Sequence, residues 1–301
     1  MTNVEKLTLM GLGNLPSLPI KVMVSETTQM SYKDTVKEFV VNHVAESNNT
    51  GVHGLFTCQT LKMCSDFKEG IIQAHYSNDS ITKLVDLTIS LGIKVITRST
   101  IQWMYSEEDI KALKKFTEYG GIFVNAGGND INEKNEPTNV PKDYCISVGT
   151  VYDSDNSNTD VVSYTSWELP PNPSSPEPIY THTSSATPVI AYVCACIQQL
   201  YGYNVTQMKA WIKDNSVVNT EDATERLLKI GELYLMKTIK IAIGSEFVMV
   251  NGEVIKMDTK AILDQNNRIL VPVRFIANAL GVDNADITYD IKTKTATIIQ
   301  R

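Results

Sequence analysis

The feature that most constrains this chain is a repeated alternation between short, continuous apolar runs and longer segments with apolar residues at helical spacing. Residues 20–24 (IKVMV), 93–97 (IKVIT), 122–125 and 144–151 are runs of the first kind. Glu107 to Tyr119 is of the second kind, with Ile110, Leu113 and Phe116 on one helical face and Gly120-Gly121 as its stop. A strand apolar on consecutive residues is buried on both faces, as in parallel sheets sandwiched between helices. The pattern therefore predicts an α/β fold with an open, mostly parallel sheet covered on both sides. It further predicts helices over Lys33–Val44, from His53 through Cys64, over Thr187–Tyr201 and over Thr206–Ile212. In the third of these, Pro188 is expected in the first turn, where its missing N–H costs little. Trp167 to Pro178 holds five prolines and is expected to be an irregular loop.

After about residue 237 the texture changes to alternating apolar strands (IKIAI, FVMV, EVIKM), with Asn251-Gly252 marking a tight hairpin. A strand running into a helix (ILVPVRFIANALG) and a last strand (TATII) follow. Two domains are expected: 1–236, carrying the parallel sheet, and 237–301, a small α+β module.

Composition removes several function classes. A formal net charge of −7 with no basic stripe argues against nucleic acid or an anionic membrane as partner. No stretch approaches the roughly 20 apolar residues of a membrane span. The first twenty residues lack the apolar core of an export signal, so a cytoplasmic location is expected unless the chain is trimmed or released by another route. Five cysteines (Cys58, Cys64, Cys145, Cys194, Cys196) form an odd set without metal-ligand spacing and read as buried apolar thiols in a reducing compartment. No metal and no cofactor is expected.

Serine hydrolysis requires a nucleophile, an imidazole to take its proton, a carboxylate to orient that imidazole, and donors for the developing oxyanion. Thr181-His-Thr-Ser-Ser-Ala-Thr-Pro188 precedes the buried helix, Val124-Asn-Ala-Gly-Gly-Asn-Asp130 ends a strand, His53-Gly54 opens a helix, and Val22-Met-Val-Ser-Glu-Thr-Thr28 closes the first strand. In order and spacing these segments resemble the subtilisin-type serine proteases over roughly residues 20–236. The resemblance implies a serine endopeptidase, with Ser184 as nucleophile, His53 as base, Glu26 where the family carries Asp, and Asn129 as oxyanion-hole amide. It implies a peptide or protein substrate. The plainer readings are that Ser184 is a helix N-cap and Asn129 a turn residue. His75, in a less regular segment, is the reserve base, and Asp34 or Asp66 the substitute carboxylate. His182 stands where the family has Gly. A second function class stays open: a catalytically impaired relative that binds peptide or cell wall without cutting.

Arg268 to Gly281 and Ile287 to Ile298 resemble the stalk-type domain named after the N-terminal domain of copper amine oxidases. Such modules occur on bacterial surface and wall-associated proteins, which implies a bacterial or phage source and contacts with cell wall or a second copy. No His lies in 239–301, so copper is not expected there.

Overall fold

The structure is a computed structural model of the chain. It describes residues 1–30, 36–44, 50–100, 105–129, 141–151, 159–171, 179–218 and 226–231, then 239–250, 253–257, 259–266, 269–279, 282, 287–290, 292–293 and 295–298. The chain divides into two compact units, Met1–Leu233 and Tyr234–Arg301.

The first unit is built on nine strands: β1 (Pro19–Ser25), β2 (Val40–Asn42), β3 (Ile71–Ser77), β4 (Val95–Arg98), β5 (Ile122–Ala126), β6 (Cys145–Thr150), β7 (Val161–Ser163), β8 (Ser216–Val218) and β9 (Arg226–Leu228). Their order in the sheet is β8-β9-β7-β6-β5-β4-β1-β3-β2. Every neighbouring pair is parallel except the edge pair β8–β9. The chain passes from β1 to one side and then returns to build β4 to β7 on the other. Strand order thus reverses at β1, and the carboxyl ends at such a reversal are the usual place for a site on an open α/β sheet.

Six helices flank the sheet: α1 (Asn3–Leu9), α2 (His53–Phe67), α3 (Ile81–Ser90), α4 (Glu107–Glu118), α5 (His182–Tyr201) and α6 (Val205–Asp214). Val22, Val24, Val95, Ile122, Val124 and Ile146 face one core with α2 and α5, while Met23, Ile96, Phe123 and Cys145 face a second with α3 and α4. This alternation is why consecutive residues of β1, β4, β5 and β6 are all apolar: each strand feeds two cores. Helix α5 is buried on nearly every side, as its almost wholly apolar sequence requires. All five cysteines are free and buried. Among the described residues no helix is long and apolar enough to cross a membrane.

The structure corrects four local expectations. Of Lys33–Val44, residues 31–35 lie outside the described residues, and Val40–Asn42 is an edge strand rather than helix, because its backbone pairs with β3. His75, expected in an irregular segment, sits in β3 beside the central strand, opposite Met23. Trp167–Glu168 is not loop but pairs antiparallel with Ile179–Tyr180, and 172–178 between them lie outside the described residues. Helix α5 begins five residues earlier than expected, which puts Pro188 in its interior. An interior proline costs about 3 kcal/mol, which favoured a start near it. The extra turn is held instead by Asn129 on Thr183 and by Thr165 on Ser185.

The N-terminal helix clasps the far end of the domain. Asn3 Nδ2 donates to Glu168 O and Glu168 N to Asn3 Oδ1, while Lys6 Nζ donates to Thr165 O and Ser166 O. Ile230 N donates to Met10 O at 2.9 Å, and Gly11, at φ +74°, passes so close that a Cβ would stand 2.1 Å from Ile230 O.

In the second unit, Ile239–Ile241, Phe247–Val250 and Glu253–Lys256 form an antiparallel three-stranded sheet. Asn251-Gly252 lies outside the described residues, but Val250 pairs with Glu253 on either side of it. The pairs Ile262–Leu263 with Ile269–Leu270 and Ile287–Asp290 with Thr295–Ile298 complete it, with a helix over Val273–Ala279.

Two expected outcomes follow from the first unit. His75 is buried, with its Nδ1 2.9 Å from His43 Nε2 and the rings stacked 5.2 Å apart. Burial, then the neighbouring His43 and Lys21, push the His75 imidazole down to about 4, and burial lowers His43 too. The unfolded chain binds these protons near the ordinary value of 6.5, the folded chain only at lower pH, so stability is expected to fall as pH drops from about 6.5 through about 4. Chemical denaturation across that range should show the loss, and His75→Leu should flatten it.

The second outcome concerns His182, exposed at the start of α5 with φ +63°. A left-handed conformation costs a non-glycine residue about 1–2 kcal/mol, against about 0.5–1 kcal/mol of extra chain entropy lost by glycine. His182→Gly should therefore stabilise the fold by up to about 1 kcal/mol in a denaturant titration, while His182→Ala should gain nothing. A loss with glycine would mean that the imidazole itself contributes.

Candidate active site

The site lies at the carboxyl ends of the strands beside β1. Glu26 is the first residue after β1, and its backbone N–H donates to Ser77 O at the end of β3 (3.0 Å). Gln29–Met30 then pair in parallel with Thr50–Gly51, so the segment leaving Glu26 is tied to the segment entering α2. His53 is the first residue of α2. The glycine after it has a steric reason: a Cβ at residue 54 would stand 2.4 Å from the Tyr76 ring, whose hydroxyl donates to Thr28 O.

Glu26 and His53 are brought together. His53 Nδ1 lies 3.0 Å from both Glu26 Oε1 and Glu26 Oε2. The glutamate is only 2% exposed, and a buried carboxylate must be paired and hydrogen-bonded to be tolerated. Thr57, one helical turn after His53, donates to Glu26 Oε1 at 3.2 Å. Its hydroxyl is also 3.0 Å from Tyr180 Oη, and Tyr180 Oη is 3.3 Å from His53 Nε2. Glu26, His53, Tyr180 and Thr57 thereby form a closed ring of four polar contacts served by three protons: with Thr57 donating to Glu26, the Tyr180 proton is the one available to His53 Nε2 or to Thr57 Oγ1. The Tyr180 ring meets the imidazole edge-on at 5.5 Å. Burial, and next the Glu26 carboxylate, push the Tyr180 phenol well above its ordinary value, so it stays a hydroxyl.

Ser184 is the third residue of α5, not its N-cap; that position is Thr181, which makes no side-chain cap bond. Its Oγ donates to Ser99 O at 2.7 Å, just past the end of β4, rather than to His53. Asn129 follows β5 through Gly127 and Gly128. Gly127 is forced by close approach, since a Cβ there would meet Thr159 Cγ2 at 2.7 Å and Val148 O at 3.0 Å. Asn129 Oδ1 accepts from Thr183 N (3.1 Å) and Thr183 Oγ1 (2.6 Å), fixing the amide against the start of α5. Any donation from this side chain toward a ligand therefore belongs to Nδ2.

The remaining candidates lie elsewhere. His75 is hydrogen-bonded to His43, and its register partner Met23 packs on the α3/α4 side. Asp66 pairs with Lys62 on the exposed end of α2, and Asp34 lies outside the described residues. Thr57, Tyr180 and Ser99 were not singled out from sequence. Thr57 was within reach of an i, i+4 argument from His53; Tyr180, beside a proline-rich run, carried no such signal. Among the described residues no group of three or more His, Cys, Asp or Glu is placed to hold a metal ion.

Comparison with known proteins bears on both units. Residues 210–298 match the family described as copper amine oxidase N-terminal domain, a match that begins before the compact second unit does. No match was found among curated proteins. Among solved structures, a cold adapted subtilisin-like serine proteinase superposes with a TM-score of 0.53 at 16% identity, covering 71% of this chain and 89% of its own. The prenylagaramide maturation protease PagA gives 0.53 at 15% identity, covering 74% and 93%. Fervidolysin from Fervidobacterium pennivorans, a keratinolytic enzyme related to subtilisin, gives 0.54 at 17%, covering 70% of this chain and 41% of its own. The first unit of this chain has the fold of the subtilisin-like serine proteases, and a strand-rich C-terminal region follows it.

Proposed function

We propose that the protein is a serine endopeptidase that cuts peptide bonds through an acyl-enzyme on Ser184. The observation that carries this reading is the contact of both Glu26 carboxylate oxygens with His53 Nδ1 at 3.0 Å. That contact selects the tautomer with a proton on Nδ1 and an accepting lone pair on Nε2, as a general base requires. Glu26 stands one residue past the strand, at the position matched to the family's Asp, and Thr57 donates to its Oε1.

In this reading Ser184 Oγ turns from the Ser99 carbonyl to His53 Nε2 and attacks the substrate carbonyl carbon as its proton passes to Nε2. The oxyanion is met by Asn129 Nδ2 and by the Ser184 backbone N–H at the start of α5, where the helix dipole favours negative charge. The proton on Nε2 then goes to the leaving amine, and water repeats the sequence on the ester. The two-domain division at about 236/237 belongs to the same proposal: all four residues precede it, and the C-terminal module would contribute attachment, to cell wall or to a second copy.

A second reading, a peptide-binding relative that does not cut, draws on the Ser184–Ser99 bond and on the hydroxyl already seated at Nε2. A fluorophosphonate probe separates the two. Labelling should map to Ser184 and vanish in Ser184→Ala; a folded wild-type protein that never labels would favour the binding reading.

The role of Glu26 has its own expected outcome. Glu26→Gln keeps the shape and removes the charge that stabilises the imidazolium, so the rate of labelling and of peptide cleavage should fall by about 10³–10⁴. Near-full activity in that variant would hand the orienting role to another group.

A further inference from the structure

The hydroxyl of Tyr180 occupies the one nitrogen of His53 that the nucleophile needs. Its Oη lies 3.3 Å from Nε2 and 3.0 Å from Thr57 Oγ1, while Ser184 Oγ is spent on the Ser99 carbonyl at 2.7 Å. An imidazole held at Nδ1 by a carboxylate has one remaining lone pair, and a donor seated there excludes a second. The tyrosine is no passing surface group: it is 5% exposed, and its ring packs on Phe56 at 5.5 Å as well as on the imidazole.

The surroundings fix this placement. Ile179–Tyr180 pairs with Trp167–Glu168, and Trp167 Nε1 donates to Ser185 O at 3.1 Å. Thr165 Oγ1 lies 2.7 Å from Ser185 Oγ, so the segment that carries Tyr180's partner strand is bonded to the first turns of α5. Between Tyr180 and Ser184 stands His182, at φ +63°. The tyrosine and the serine thus sit four residues apart on one short span of chain, with a residue in the strained left-handed region between them, so the tyrosine's strand can shift while α5 keeps the serine in place.

We propose that Tyr180 is a latch on the general base: its hydroxyl holds His53 Nε2 in the resting protein, and Ser184 becomes nucleophilic when that bond is given up. The inference rests on the peptidase reading above and adds a restraint to it. Tyr180 acts through His53 and is a positioning residue, not a catalytic one. Substrate reaching His53 would release the latch by displacing the Tyr180 hydroxyl from Nε2.

Tyr180→Phe in the full chain is the test, because it removes one oxygen and leaves the ring packing in place. A competing hydrogen bond of ordinary strength predicts fluorophosphonate labelling of Ser184 about 3- to 10-fold faster than in wild type. In parallel, the ¹⁵N resonance of His53 Nε2 should move in the variant, a change that a purely structural tyrosine would not produce. Labelling that is unchanged or slower in Tyr180→Phe overturns the latch and leaves the peptidase reading standing. An Nε2 resonance that stays put overturns it as well, since the hydrogen bond would then be absent. If the resonance moves but neither protein labels, Tyr180 holds an imidazole that drives no nucleophile, and both the latch and the peptidase reading fall.

Discussion

A carboxylate that is 2% exposed at the end of the central strand sets the terms for everything around it. Moving such a group out of water costs several kcal/mol unless its oxygens are met by charge or by donors. Here the compensation comes from His53 and Thr57, both from the first turns of α2, and the imidazole and the threonine in turn meet Tyr180. Arg98, 8% exposed at the end of the adjacent strand, adds a favourable field to the same region while its Nη1 donates to Ser25 Oγ at 2.8 Å. The site is therefore a consequence of burying Glu26 as much as a device placed upon the fold.

Ser184 is supported differently. Ser184 rides on α5, which is packed against α2 and five strands of the sheet and has almost no solvent face. A helix so placed cannot move without repacking the main core, and interiors at crystal-like density resist such change. Truncation of one of its buried aliphatic side chains, Ile190 or Val193 for example, removes packing on which the position of Ser184 depends. The Glu26–His53 pair and Ser184 are thus held by separate parts of one core, with the hydroxyls of Thr57 and Tyr180 and the Ser99 carbonyl as their other partners.

Much of this was legible in the residues. The apolar runs that became β1, β4, β5 and β6 read as doubly buried strands because they supply two cores at once. Glu26, His53 and Ser184 stood in the order of a subtilisin-type site, and the structure puts the first two in contact. What was not legible has identifiable causes. Val36, Phe39, Val40 and Val44 fall at helical spacing, which hid the strand that Val40–Asn42 forms by pairing with β3. His75 lies in a strand mixing Gln and His with apolar residues, and what hides its polarity is the stacked ring of His43, 32 residues away. The start of α5 was masked by Pro188, since the bonds that extend it upstream come from Asn129 and Thr165, distant in sequence. Which acceptor Ser184 chooses, and which donor His53 receives, depend on side-chain positions to within an ångström. No periodicity carries that information.

The clasp formed by α1 has a kinetic meaning. The carbonyls that Asn3 and Lys6 bind belong to residues about 160 positions later, with Asn3 and Glu168 separated by 165. Met10 must wait longer still, for Ile230. Closing loops of that length costs entropy before any contact repays it, and domains dominated by such pairings fold slowly. During synthesis the N-terminal helix has no home until nearly the whole first unit has been made, and its apolar face, with Leu7 at its centre, stays open to other partners. The segment around α1 therefore reaches its final contacts only when Ile230, just past the last strand of the sheet, docks on Met10.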